Sequence, residues 1–342
     1  MKRAKNAEAD AAPDAKRGKI DEKTRREAVE SLTCQTVKDL RVSGSMSVKE
    51  LVAALGGMGG FMAPRLERAS RVLREMKANS ATIFLSFTGN LVSTGLRGVI
   101  AQAIREGYAN AIITTCGALD HDVARANGAR YSSGEFEYDD IMLNSLEIHR
   151  LGNVVIPMED YGPLIERVMR KELPGIMEGR GSDSITPSEL AREFGRRISD
   201  PDSILKAAYD RGVPVYVPGI ADGAFGTNLF FYAQTSKLRL DLFKDMGDIL
   251  NTVLDAQRDG KKTGAVIIGG GISKHHVIWW NQFKEGLDYC IYLTTASEYD
   301  GSLSGALPRE AISWGKLKPE AKQVAVLGDA TITLPLLMAS VL

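Results

Sequence analysis

The chain has 342 residues, 44% of them hydrophobic, enough for one large α/β core. Its 43 basic and 43 acidic side chains cancel, so it lacks the positive excess that neutralises nucleic-acid phosphates. No apolar run reaches the ~20 residues that cross a bilayer, and the amino terminus leads into no secretory core; the three scattered cysteines, Cys34, Cys116 and Cys290, predict reduced thiols in a cytoplasmic protein, with neither a disulfide framework nor a metal site.

Residues 1–30 carry nine basic and seven acidic side chains and almost no large apolar ones. Such a segment buries too little surface to offset its ordering entropy, which predicts a mobile charged tail, helical from Glu22 onward. Residues 31–342 read as a single large domain. Ser47 with Glu50 predicts a capping box opening a helix at Val48, broken at Gly56-Gly57-Met58-Gly59-Gly60. Over residues 65–76, Leu66, Ala69, Val72, Leu73 and Met76 share one helical face. Seven short apolar runs follow, at 81–87, 111–114, 153–156, 213–217, 265–268, 289–293 and 324–327, with helical patterns such as 96–106 and 240–256 between them. Because the runs are continuous rather than alternating, both faces of each strand should be buried. The expectation is therefore a Rossmann-like, doubly wound, mostly parallel sheet of six or seven strands. The stretch 174–187, rich in Gly and Ser, reads as an exposed loop.

In open parallel sheets, ligands bind beyond the carboxyl ends of the strands. There this sequence is rich in small and polar residues. The 265–268 run leads into Gly269-Gly270-Gly271 and then Lys274-His275-His276. Glycines let a backbone approach a pyrophosphate, and a helix start beyond them offers amide donors. The triplet is not the Gly-x-Gly-x-x-Gly fingerprint, however, and equally suits a tight turn. The other ends are Thr88 to Gly95, Thr114-Thr115-Cys116-Gly117, Ala221-Asp222-Gly223, Thr294-Thr295-Ala296 and Gly328-Asp329-Ala330. Each alone is readable as a self-satisfied Asx or ST turn. Six in one sheet predict an extended dinucleotide site, with Asp222 or Asp329 accepting from ribose hydroxyls.

Residues 298–305, Glu310 and Ser313-Trp314-Gly315-Lys316 gather carboxylates, an indole and an amine. That set suits an aliphatic polyamine: carboxylates hold its ammonium groups, and an indole face adds ~0.5–2 kcal/mol of cation–π attraction. A lysine attacks an imine or carbonyl carbon only when its proton is made easy to lose, as desolvation beside Trp314 would do. The ordinary alternative is a core indole beside a surface lysine. His275 and His276 are adjacent and point in different directions, so at most one faces a site, and acid–base work and packing both stay open.

Taken in order, these strings resemble the deoxyhypusine synthase family from about Val48 to the end. The resemblance runs through Thr88 to Gly95, Thr114 to Gly117, Gly134-Glu135-Phe136, Arg150 to Asn153, Asp222-Gly223, Gly269 to His276, Tyr299 to Ser302, Ser304-Gly305, Glu310 to Lys316 and Gly328 to Ala330. It implies a Rossmann-like homotetramer in which NAD oxidises spermidine. The aminobutyl group then passes through an imine on the enzyme's lysine to a lysine of the translation factor 5A precursor. By position, the resemblance makes Lys316 the covalent nucleophile and His275 the proton-transfer residue. It gives Glu310, Trp314, Tyr292 and Asp300 the amine chain. It assigns NAD to Gly89, Asn90, Ser93, Thr115, Gly117 and Asp222 on one side, and to Gly270, Gly271, Thr295, Ala296, Asp329 and Ala330 on the other. Thr227 and Leu303 stand where eukaryotic members carry amine-binding carboxylates, Trp279 replaces an asparagine, and His121 replaces a glutamate. These departures resemble the archaeal branch, and they leave open a homospermidine synthase-like transfer to a free diamine.

Overall fold

The computed structural model describes residues 21–342; residues 1–20, most of the expected tail, lie outside the described residues. The rest of that segment is helical, Glu22–Leu32, with Asp21 accepting from the Thr24 N–H at its start. Ser47 and Glu50 do form the capping box. Their helix, Val48–Met58, runs through Gly56 and Gly57 and stops only at Gly59, whose left-handed φ of 68° ends it. The next helix, Ala63–Ala78, buries all five residues of the expected face.

Eleven strands occur among the described residues: β1 (Thr82–Phe87), β2 (Ala111–Ile113), β3 (Ser132–Ser133), β4 (Ile148–Leu151), β5 (Val154–Pro157), β6 (Ser184–Ile185), β7 (Val215–Tyr216), β8 (Arg239–Leu240), β9 (Thr263–Ile268), β10 (Leu287–Thr294) and β11 (Leu317–Leu327). Six of them make one parallel sheet in the order β11-β10-β9-β1-β2-β7. Growth begins at β1, proceeds outward through β2 and β7, then restarts at β9 on the other side. That is the doubly wound Rossmann-like arrangement, with its switch point between β1 and β9. Every residue of β9 is buried, as continuous apolar strands require. Alternate residues feed two cores: Leu85, Val266 and Ile291 join one cluster, while Phe84, Ile267 and Tyr292 join the other.

Two sequence expectations are corrected. The 153–156 run is not in the main sheet; β5 pairs antiparallel with β4 and β3. Gly152, at φ 61°, turns the chain back locally, so β5 pairs with β4 directly across the Gly152-Asn153 turn rather than across the molecule. The 174–187 stretch is not one loop. The helix Gly162–Glu178 continues through Pro174 because Ile165, Met169, Leu173 and Ile176 are buried at helical spacing. That burial outweighs the one lost amide. Beyond it, β6 pairs with β8, and Thr186 with Glu189 forms a capping box for the helix Pro187–Arg197.

Candidate functional site

A parallel sheet brings the carboxyl ends of its strands to one edge. Residues 329–330, 295–296, 270–271, 89–93, 115–117 and 222 therefore lie along that edge in the spatial order of their strands. Between the ends of β1 and β2 the packing is close. The Thr115 hydroxyl accepts from the Gly89 N–H at 3.0 Å, and a Cβ added at Gly89 would meet the Gly117 carbonyl carbon at 2.6 Å. Asn90 opens onto solvent from the short helix Gly89–Val92, while Ser93 is buried and donates to the Asn90 carbonyl. Gly269 and Gly271 have left-handed φ values of 85° and 67°, a conformation that favours glycine. Gly270 is different: the space of its missing side chain is taken by Ser304. The next element, the helix Gly271–Asn281, begins without a side-chain cap. Asp222 and Asp329 are exposed. Asp329 caps the helix Ala330–Ala339, accepting from the Thr331 N–H and hydroxyl, and Thr295 and Ala296 follow β10 directly.

Adjoining this edge is a cavity of about 320 Å³. Lys316, Trp314 and Glu310 enter it from the helix Pro308–Ser313 and the turn after it, Tyr292 from β10, and Lys274, His275 and Trp279 from the helix Gly271–Asn281. Leu303 and Leu307 close it. Lys316 is only 7% exposed, and its Nζ stands 5.1 Å from the Trp314 ring centroid and 5.5 Å from that of Trp279. The lysine is thus a buried group between two indoles, not a surface charge. Asp300 is not brought into the lining; it is exposed, and its carboxylate accepts from the Ser302 N–H at 2.7 Å. Thr227 is likewise elsewhere, donating from its hydroxyl to the Gly223 carbonyl.

The two histidines part as their adjacency requires. His275 lines the amine cavity, whereas His276 lines a small separate one with Tyr216, Asp245 and Ile249. Burial, and after it the nearby Lys316 charge, lowers the His275 pKa below its usual range. Burial pushes His276 down to about 4. His121 is also buried and held down to about 4, with Nδ1 2.7 Å from the Tyr131 hydroxyl.

Of the cavity residues, Lys274 had no role in the sequence reading, and Trp279 entered it only as a departure from the family pattern. Lys274 is 1% exposed; its Nζ donates to the Ala306 carbonyl at 2.8 Å and lies 4.2 Å above the Tyr292 ring. Burial pushes its ammonium down to about 8. Trp279 follows His275 by four residues, one helical turn, and its ring stacks on the imidazole at 5.4 Å. That spacing was the available signal. The Tyr292 hydroxyl, beside the Cys290 thiol, has no hydrogen-bond partner among the described residues. Ser304 joins the cavity to the strand edge: its hydroxyl accepts from the Gly271 N–H, and its carbonyl lies 3.5 Å from the Lys274 Nζ.

The family model for deoxyhypusine synthase matches residues 50–341. The protein named probable deoxyhypusine synthase in Sulfurisphaera tokodaii is 54% identical, across 92% of this chain and 99% of its own. Its namesake in Ignicoccus hospitalis is 52% identical, across 90% and 96%. Among solved structures, a candidate deoxyhypusine synthase from Entamoeba histolytica superposes with a TM-score of 0.60 at 20% identity, across 89% of this chain and 96% of that one, a likeness of fold. The chain belongs to the deoxyhypusine synthase family and is an enzyme of its aminobutyltransferase class.

Proposed function

We propose that this enzyme uses NAD to move the aminobutyl group of spermidine, through an imine on Lys316, to a lysine of the translation factor 5A precursor. The observation that carries the reading is the burial of Lys316 between Trp279 and Trp314, beside His275, in a cavity that touches the strand edge through Ser304. The edge fits a dinucleotide. At the start of the helix Gly271–Asn281 the Gly271 N–H goes to Ser304 and the N-cap residue supplies no side-chain bond, which leaves the amides after Gly271 as donors for phosphate; a Cβ at Gly271 would meet open space, and Asp222 and Asp329 are exposed acceptors for ribose hydroxyls. Gly89, Asn90, Ser93, Thr115, Gly117, Gly270, Thr295, Ala296 and Ala330 would complete that cradle. NAD, when bound, supplies the hydride acceptor and later the hydride donor.

The chain's own residues do the rest. Lys316, as a free amine, attacks the oxidised carbon beside the secondary nitrogen of spermidine. The bond from that carbon to nitrogen breaks, propane-1,3-diamine leaves with a proton, and the aminobutyl group stays on Nζ as an imine. The acceptor lysine displaces Nζ by the same exchange. With its pKa lowered, the His275 imidazole is neutral at neutral pH and can accept the proton Lys316 sheds. Glu310, Trp314 and Tyr292 would hold the amine chain, with Asp300 on the outer loop. The working form is a cytoplasmic homotetramer whose catalytic domain spans 31–342.

The test is incubation with NAD, the factor 5A precursor and spermidine labelled in its butyl carbons. Label should appear on a precursor lysine. Label on added putrescine instead would move the reading to a homospermidine synthase-like transfer, and label on neither would overturn it.

A further inference from the structure

Among the described residues, the cavity around Lys316 is lined by one carboxylate, that of Glu310, against two ammonium groups and an imidazole. A polyamine entering it meets more positive charge than negative, so Coulomb attraction alone does not seat it. What remains is the aromatic and apolar wall. Trp279 is its least expected member. It is 40% exposed on a helix whose neighbours Ile278 and Trp280 are buried, so it spends a large indole on the cavity rather than on the core. Its ring lies against His275 on one side and 5.5 Å from the Lys316 Nζ, while the Trp314 ring lies 5.1 Å from the same atom. An alkylammonium group, the protein's own, already sits within reach of two indole faces.

We propose that Trp279 is the specificity-determining wall of this cavity, and that with Trp314 it holds the donor's ammonium groups by their attraction to the indole faces. The two kinds of holder read different things. A carboxylate clamp reads N–H bonds, and each methyl on nitrogen removes one. An indole face reads positive charge and adjacent C–H groups, which methylation leaves in place. The ligand class is therefore alkylammonium donors at large, including spermidine methylated on the terminal nitrogen of its aminobutyl arm. Leu303 extends the same wall, presenting no acceptor to an N–H.

The aminobutyl-transfer reading supplies the kinetic assay for this wall, so binding is measured separately. Trp279→Leu removes the ring and keeps an apolar side chain; Trp279→Phe restores a face. In the full chain with NAD, calorimetric titration of spermidine should weaken roughly 2- to 30-fold in Trp279→Leu and largely recover in Trp279→Phe. Wild type should bind terminally methylated spermidine about as well as spermidine, within roughly threefold, and Trp279→Leu should lose affinity for both. In turnover, Trp279→Leu should raise KM for the amine more than it lowers kcat. Equal affinity in wild type and Trp279→Leu, or rejection of the methylated amine by wild type, overturns the wall. Tight, Trp279-dependent amine binding without any aminobutyl transfer would overturn the functional reading instead and leave the wall standing.

Discussion

Along the strand edge, polar atoms are largely spoken for by their own backbone. The Thr115 hydroxyl takes the Gly89 N–H, the Ser93 hydroxyl bonds the Asn90 carbonyl, and Asp329 caps its own helix. Around Lys316 stand long side chains from distant segments, with the Tyr292 hydroxyl unpartnered among the described residues and an ammonium against indole faces. The edge is defined by shape at Gly89, where an added carbon strikes backbone that cannot turn aside. The cavity is defined by the chemistry of side-chain tips, so exchanging a tip should change the reaction while sparing the fold. Mutations should accordingly separate the two regions, one by cofactor affinity and the other by amine transfer.

The largest separation is expected at Lys316. Lys316→Ala should lower aminobutyl transfer by about a thousandfold or more, with NAD affinity by calorimetry unchanged within about twofold. Lys316→Arg should fail equally, since a guanidinium stays protonated and forms no imine. Full transfer in either variant would end the assignment of the nucleophile.

Lys274 tests where the two regions join. Lys274→Met keeps the buried stem and removes the ammonium that bonds the Ala306 carbonyl and approaches that of Ser304. A charged hydrogen bond contributes about 1.5–3 kcal/mol, so kcat/KM for the amine should fall roughly 10- to 100-fold. NAD affinity should fall less, through the Ser304 contact with the Gly271 N–H. An amine kcat/KM equal to wild type would show that the loop carrying Ser304 keeps its place without Lys274.

How much of this was legible in the sequence follows the same division. The edge was, because continuous apolar strands announce a parallel sheet, and a parallel sheet gathers its strand ends wherever they lie in the chain. The β5 run misled for the converse reason: its residues suit any strand, and only the Gly152 turn decides that it pairs locally. In the cavity, Trp314 and Lys316 were legible as neighbours in the chain. Lys274 was not, since nothing in a sequence distinguishes a lysine that is 1% exposed from one in water. Asp300 shows the opposite case. It sits among the most suggestive residues of its segment, yet its loop turns its carboxylate to the Ser302 N–H.

Gly89 tests the edge by shape. A Cβ there would meet the Gly117 carbonyl carbon and the Ala118 nitrogen at 2.6 and 2.7 Å, both backbone atoms. Overpacking of that kind costs about 1–3 kcal/mol, and Gly89→Ala should weaken NAD about tenfold while amine affinity stays. Gly95→Ala is the control, since a Cβ there meets nothing within 4 Å and its φ is −64°. Equal NAD affinity in the two variants would remove the close approach between the ends of β1 and β2 from any account of cofactor binding.

The smallest expected effect belongs to the proton. Burial lowers the His275 pKa first, and the Lys316 charge lowers it further; a lowered pKa means that the imidazole takes its proton only at lower pH. Since it must be neutral to accept one from Lys316, kcat/KM for the amine should hold as pH falls through the ordinary histidine value of about 6.5 and decline only below it. Replacing the lysine by methionine removes the second cause and leaves the first. The His275 resonance in Lys316→Met, followed by NMR, should therefore titrate at higher pH than in wild type, yet still below 6.5. His276, held near 4 mainly by burial in its separate cavity, should hardly move. Were both histidines to shift together, the two cavities would share one electrostatic environment, and the separation of His275 for proton transfer would fall. Were neither to shift, Lys316 would stand too far from the imidazole to hand it a proton.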